Sequence, residues 1–429
     1  MSKINLLFDA TALIEGQNKN FSRCGIYWVA DNVLRQFILC KKYNITLLYP
    51  PCGFIKKNRI NKNYQFKFKY ITFYNITGRK INIEFFINKT YKTKNIIKIF
   101  YNILKVCINL LFIHLSDGFE KKIKDFDIFY SPMYAVPEEI IKTPSIKSFQ
   151  VLHDCIPNIF KDLYPFIDSR HWYLNVIKNL NKETNYFCVS QCTKNDFLNY
   201  FSDKLNERKM FVTHNAPSGK FFPNYDKVIL NKILKKYTVK PTKNMHYIFS
   251  LCTLEPRKNL LFTIKCFIEF IKKHNIDNMY FFLGGGHFPG FIEQFKQKLS
   301  NFSEYQDKII MLGYIDDKDI NILYSNSIFF VFLSQYEGFG MPPLEAMQAG
   351  TPVICSNNSS LPEVVGNAAI TNDYNNEEQC IDAFEKLYFN SELREEYVKK
   401  GLEHSKIFSW EKTFNKMSNI IMETINSNG

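Results

Sequence analysis

The chain's eleven cysteines, at positions 24, 40, 52, 107, 155, 188, 192, 252, 266, 355 and 380, include no pair at C-x2-C spacing. With an odd total as well, that excludes the usual zinc ligand sets and offers no disulfide framework, so free thiols in a reducing cytoplasm are expected. No uninterrupted apolar run reaches about 18 residues, so no membrane-spanning helix is expected. The opening MSKINLLFDA reads as a short strand without an extended apolar core, and no signal peptide is expected there. Repeats of solenoid period are absent, and so is any recognised nucleic-acid module, so nucleic acid is not an expected partner.

Acidic residues are scarce in one segment. Between residues 55 and 112 there are thirteen Lys or Arg against one acid, Glu84, which accounts for most of the formal charge of +14. Charge concentrated in this way implies an anionic partner. Within it, KNIIKIFYNILKVCINLLF (94–112) sets Lys94, Lys98, Asn102, Lys105 and Asn109 at helical spacing, a narrow polar stripe on an apolar helix. Peripheral contact with an anionic membrane fits that pattern, as does packing on its own domain or in an oligomer.

At 429 residues and 50.7 kDa, with 46% hydrophobic and 22% charged residues, the chain is globular and too long for one core. Strand candidates are Ile4–Phe8, Ile45–Tyr49, Ile128–Ser131, Ser148–Asp154, Tyr186–Ser190 and Phe211–Asn215. A second series is Tyr247–Leu251, Tyr280–Gly284, Ile309–Leu312, Ile328–Ser334 and Pro352–Ser356. Their alternation with helical patterns predicts α/β structure with parallel sheets. Expected are two Rossmann-like, doubly wound domains, 1–230 and 231–410, facing each other across a cleft, with 411–429 a helix crossing back. The first would carry the basic, amphipathic insertion at about 55–115, and the second the nucleotide site.

In such sheets ligands bind beyond the carboxyl ends of strands, and chemistry-bearing residues stand there. SQYEGFGMPPLEAMQAG puts Glu337 after a buried strand, in a turn made by Gly338 and Gly340, with Glu345 expected in the first turn of the helix that Met341-Pro342-Pro343 opens. A helix N-terminus suits a pyrophosphate, a carboxylate can accept both hydroxyls of a ribose, and the glycines permit close backbone approach. Both glutamates also suit a plain complement to the helix dipole. In SLCTLEPRKNL, Arg257 and Lys258 follow a strand and can neutralise a diphosphate leaving group; a solvated charge cluster is the ordinary alternative. Gly285, in the run 284–286, marks a further turn after a strand. In FQVLHD a strand runs into His153, either a ligand of the site or a structural histidine with Asp154 capping the next turn. Gly25 precedes a helix, Asp9 ends the first strand, Ser190 and Thr193 most simply cap a helix, and His214 follows a strand.

Glu337-GFGMPPL-Glu345, followed by AMQAGTPVICS and LPEVVG, resembles the signature of family-4 retaining glycosyltransferases of the GT-B fold (glycosyl transferases group 1), and bacterial mannosyltransferases among them. The resemblance extends over most of the chain and is densest from about 247 to 410. It implies that Glu345 holds the nucleotide ribose, Glu337 contacts the donor sugar, and Arg257 and Lys258 take the diphosphate. His153 would lie near the sugar and β-phosphate. Gly25, Gly285, Gly338, Phe339 and Gly340 would complete the donor site. Implied too are retention by front-face attack, a nucleotide diphosphate sugar (GDP-mannose or a UDP-sugar) as co-substrate, no cofactor, and a glycan or lipid-linked acceptor in surface polysaccharide or lipopolysaccharide synthesis. A cytoplasmic enzyme, peripheral at the inner face of the membrane, follows from that. No DxD-type metal motif stands in a suitable loop, Asp316-Asp317 reading as a helix start with an N-cap, so metal independence is expected. The alternatives are a same-fold epimerase or phosphorylase, or a non-catalytic subunit binding a partner glycosyltransferase or glycan.

Overall fold

The computed structural model describes residues 3–16, 25–49, 69–72, 122–164, 172–240, 242, 244–286 and 291–427. The basic, amphipathic segment at 55–115 lies outside them apart from one short strand at 69–72. The chain divides into two compact units: 1–189 with 194–213 and 414–429, and 190–193 with 214–413.

The first unit is built on a seven-stranded sheet of β1 (Ile4–Asp9), β2 (Tyr43–Tyr49), β3 (Lys69–Thr72), β4 (Ile128–Ser131), β5 (Lys147–Leu152), β6 (Asn185–Cys188) and β7 (Met210–Val212). The spatial order is β3-β2-β1-β4-β5-β6-β7, and every pairing is parallel. All four residues of β4, IFYS, are buried, as a central strand covered on both faces requires. One covering layer is aromatic. Phe8 stacks on Tyr130 at 5.4 Å, and Phe37, from the helix Gly25–Cys40, meets Tyr130 edge-on at 5.4 Å. Phe414, from the C-terminal helix Trp410–Asn426, meets Phe37 at 4.9 Å, and Ser418 bonds the Tyr43 hydroxyl at 3.3 Å.

The second unit has a six-stranded sheet of β8 (His246–Leu251), β9 (Met279–Gly284), β10 (Ile309–Gly313), β11 (Phe330–Phe332), β12 (Val353–Ser356) and β13 (Ile370–Asn372). Its order, β10-β9-β8-β11-β12-β13, is again wholly parallel. The helix Leu260–Lys273 buries Leu260, Ile264, Phe267 and Ile271, one stripe at helical spacing. Phe267 packs on Phe281 at 5.6 Å and Phe270 on Phe384 at 6.0 Å. Each such ring, taken from water, contributes roughly 1.5–3 kcal/mol.

Both sheets reverse their winding between the first and fourth strands of their series, β1/β4 and β8/β11. Ligands of doubly wound sheets bind beyond the carboxyl ends of strands at that reversal.

Candidate active site

In the second unit the loops leaving β8 and β11 flank the reversal, and they carry Arg257, Lys258 and Glu337. After β8, Pro256–Lys258 makes a single tight turn, closed by Asn259 in the left-handed region (φ 57°). Asn259 tolerates that conformation better than most residues, and its side-chain amide donates to the Tyr374 carbonyl at 2.6 Å. The two loops are stitched directly: Gln335 N–H donates to the Arg257 carbonyl at 2.8 Å.

The side chains then converge. Arg257 pairs with Glu337 at 2.9 Å and with Glu255, and donates to the Tyr336 carbonyl. Lys258 meets the same Glu337 oxygen at 2.5 Å and lies 5.1 Å from the Phe332 ring centroid. Two cations and two carboxylates thus form one buried cluster, with Glu255, Arg257 and Glu337 all under 10% exposed. Burial alone pushes the Glu337 carboxyl up, but the adjacent Arg257 and Lys258 outweigh it and hold it at about 2.

Backbone anchors fix the loop that carries Glu337. Ser360 Oγ donates to the carbonyls of Glu337 (2.9 Å) and Phe339 (2.8 Å). Ser190 Oγ (2.7 Å) and Thr193 Oγ1 (3.1 Å) both donate to the Gly338 carbonyl. Gly340 has φ +103°, and a Cβ there would sit 2.6 Å from Leu361. Gly285 is more constrained still: φ is +124°, and a Cβ would fall 1.9 Å from the Cys252 carbonyl oxygen. That glycine lets the loop after β9 close against the loop bearing Arg257 and Lys258, with Leu254 N–H donating to the Gly286 carbonyl at 2.8 Å.

Glu345 stands apart from this cluster. The helix begins at Met341, because Gly340 in the left-handed region cannot be part of it. Glu345 is therefore beyond the first turn, not within it as expected, and does not cap the helix. Its carboxylate accepts from the Tyr324 hydroxyl at 3.2 Å. Burial raises it to about 7, offset in part by that hydrogen bond and reinforced by the charge of Asp317.

His153 and Gly25 belong to the first unit. His153 Nε2 is 2.7 Å from the Pro132 carbonyl oxygen, which can only accept, so the proton sits on Nε2. Burial lowers this imidazole to about 4, so it is neutral at pH 7. Asp154 accepts from Ile156 N–H at 3.0 Å, a local turn contact. Gly25 opens its helix without a steric need for glycine, since a Cβ there meets nothing within 4 Å.

Other sequence candidates have structural partners. Asp9 accepts from Thr11 N–H at 2.9 Å and from Ser131 Oγ at 3.2 Å. Ser190 Oγ accepts from Thr193 N–H at 2.9 Å, a helix cap. His214 pairs with Glu363 of LPEVVG at 2.6 Å, and the same carboxylate accepts from Gln191 N–H at 2.8 Å. Asp316 does precede the helix Asp317–Ser325, but its side chain makes no cap bond and pairs with Lys236 instead. Among the described residues no group of three His, Cys, Asp or Glu is placed to hold a metal, and no helix is long and apolar enough to cross a membrane.

Comparison with known proteins sets the class first. The paired parallel sheets are those of GT-B glycosyltransferases: a solved glycosyltransferase from Rickettsia africae superposes with a TM-score of 0.66 over 100% of both chains, at 18% identity. More particularly, residues 232–404 match the family described as glycosyl transferases group 1, and the second unit is a domain of that group. The chain is similar to the O-antigen chain mannosyltransferase B of Escherichia coli, 28% identical over 71% of this chain and 74% of that one. It is also similar to the serotype-specific mannosyltransferase WbdA of Escherichia coli, 26% identical over 62% of this chain but only 32% of that longer protein.

Proposed function

We propose that this glycosyltransferase is a retaining, metal-independent hexosyltransferase. It moves a mannosyl group from GDP-mannose, with UDP-sugars the other donor class, to a glycan or lipid-linked acceptor in surface polysaccharide or lipopolysaccharide synthesis. The observation that carries this reading is the buried Arg257–Glu337–Lys258 cluster at the β8/β11 reversal. The mannosyl and polysaccharide parts rest on the O-antigen relatives.

In this reading the diphosphate takes up Arg257 and Lys258, and Glu337 turns part of its hydrogen-bonding capacity to the sugar hydroxyls. As the bond from the anomeric carbon to the phosphate oxygen breaks, the two cations stabilise the charge on the leaving diphosphate. The acceptor hydroxyl approaches on the same face, its oxygen bonds the anomeric carbon, and its proton passes to a phosphate oxygen. The configuration is thereby retained. Amide groups of Gly338, Phe339 and Gly340 and the start of the helix Met341–Gln348 face the phosphates. Glu345 takes the ribose, and the neutral His153 serves the donor sugar. The enzyme works in the cytoplasm, peripheral at the inner face of the membrane.

The test is a donor panel of GDP-, UDP-, dTDP- and ADP-sugars in EDTA, read by thermal shift, with Glu345→Ala alongside. A ligand that binds the folded state raises its melting temperature. A shift confined to one nucleotide class and lost in the variant supports the reading; no shift with any nucleotide sugar rejects it. Anomeric configuration of the product, read by NMR, decides retention.

A further inference from the structure

The helix Asp317–Ser325 ends beside the helix Met341–Gln348, and one phenol links them. Tyr324 is fully buried. Its ring is held edge-on by Phe249 at 5.3 Å, Phe330 at 5.2 Å and Phe221 at 5.8 Å. Its backbone is pinned as well: the carbonyl accepts from Thr351 Oγ1 at 2.7 Å and Ser327 Oγ at 2.8 Å. A ring so caged has one place to put its hydroxyl, and that place is Oε2 of Glu345, 3.2 Å away. Burial raises the phenol well above its ordinary range, so it stays protonated and donates.

A glutamate on a helix surface ordinarily samples several rotamers. Here the carboxylate is tethered by a donor whose own position is determined from all sides. An ionised carboxylate has about four lone-pair sites. With one taken by Tyr324, about three remain, enough for the two hydroxyls of a vicinal diol. Burial disfavours the ionised form of Glu345, the phenol opposes that effect, and the Asp317 charge adds to it.

Resting on the reading of Glu345 as the ribose ligand, we infer that Tyr324 is a positioning residue for donor binding: its hydroxyl orients the Glu345 carboxylate toward the 2′- and 3′-hydroxyls of the nucleotide. Tyr324 touches no substrate itself. Its contribution therefore appears only with ligands that carry those hydroxyls.

The experiment compares GDP and UDP with their 2′,3′-dideoxy counterparts by calorimetric titration of wild type, Tyr324→Phe, Glu345→Gln and the double variant. Wild type is expected to favour the ribonucleotide of its base by about tenfold or more, the scale of a hydrogen bond to a charged group. Tyr324→Phe should lose most of that preference while binding the dideoxynucleotide as before. On the Glu345→Gln background the same change should add nothing. Equal weakening toward both nucleotides would show a merely structural tyrosine and overturn the inference. So would full preference retained in Tyr324→Phe while Glu345→Gln loses it, and the ribose reading would then stand. If wild type shows no preference, or binds neither nucleotide, the ribose reading fails and the inference with it. Tyr324→Leu, which also lacks the hydroxyl, is the second variant should the phenylalanine form not fold.

Discussion

Lys258 Nζ and Glu337 Oε1 lie 2.5 Å apart, and each side chain is only 11% exposed. Glu337 therefore pairs with both of the cations assigned to the diphosphate. Their mutual attraction holds Arg257 and Lys258 in place. Such preorganisation suits charge that develops late, because the dipoles and charges need not rearrange as it forms.

Glu337→Gln should abolish most transfer and also weaken the fold, because it leaves Lys258 buried without its carboxylate. Breaking one side of a buried pair costs about 3–5 kcal/mol, measurable by urea denaturation. The pH dependence has a definite sign. The carboxyl falls from 4.5 to about 2 on folding, so its stabilisation is complete above pH 4.5 and is lost as pH drops toward 2. Wild type should lose on the order of 3 kcal/mol across that window, and Glu337→Gln should show a flatter acid limb.

Donor affinity should rise with pH between about 6 and 8. Glu345 goes from 4.5 to about 7 on folding, so the folded protein favours its protonated form below that value. The stabilisation from protonated Glu345 is complete below pH 4.5 and is lost as pH rises through 7. Ribose hydroxyls donate to the ionised form, so binding and ionisation reinforce one another. Nucleotide titration at pH 6, 7 and 8 checks this, and Glu345→Gln should remove the slope.

His153 should be a neutral, Nε2-protonated imidazole at pH 6, visible in its ring nitrogen shifts. Its folded value of about 4 lies below 6.5, so the unfolded chain binds the extra proton first. The associated stability is complete above pH 6.5 and is lost as pH falls to 4. A His153→Asn variant should lack that contribution.

Two glycines should respond unequally to alanine. Gly285→Ala forces a Cβ to 1.9 Å from the Cys252 carbonyl oxygen at φ +124°, and should destabilise by at least about 2 kcal/mol. Gly25→Ala meets nothing within 4 Å and should leave the melting temperature nearly unchanged, within about 0.5 kcal/mol. If Gly25 also serves the donor phosphates, nucleotide titration will fall in that variant while its stability does not.

Much of this architecture can be read from residue patterns. Runs such as IFYS and FVF are apolar on both faces and leave no doubt about buried parallel strands. β3 (KYIT) and β13 (ITN) escape the pattern, being short edge strands whose pairing is supplied by a neighbour and not by an apolar run. The same holds at the site. Arg257, Lys258 and Glu337 are legible because they stand directly after strands, where the sheet's winding puts ligands. Glu345 is legible as a residue, and the helix opens at Met341 as Met341-Pro342-Pro343 implies, but the glutamate is the fifth residue of that helix and so falls past its first turn. Tyr324 gives no signal at all. An aromatic residue late in a helix reads as core, and its ring is core; only its hydroxyl, bonded 21 residues away, is functional.

The hydroxyls of Ser190 and Thr193 on the Gly338 carbonyl bear on modularity. The second unit is discontinuous in the chain, for 190–193 belong to it while 194–213 do not. A fragment cut as 214–413 would look complete by its sheet and keep Ser360, yet its glycine loop would lack both donors to the Gly338 carbonyl. Excising the domain for structural work, or grafting it into a chimera, therefore calls for carrying the four-residue segment along or supplying equivalent donors. The loop that bears Glu337 is inherited from two places in the gene, and a recombination between them separates it from half of its support.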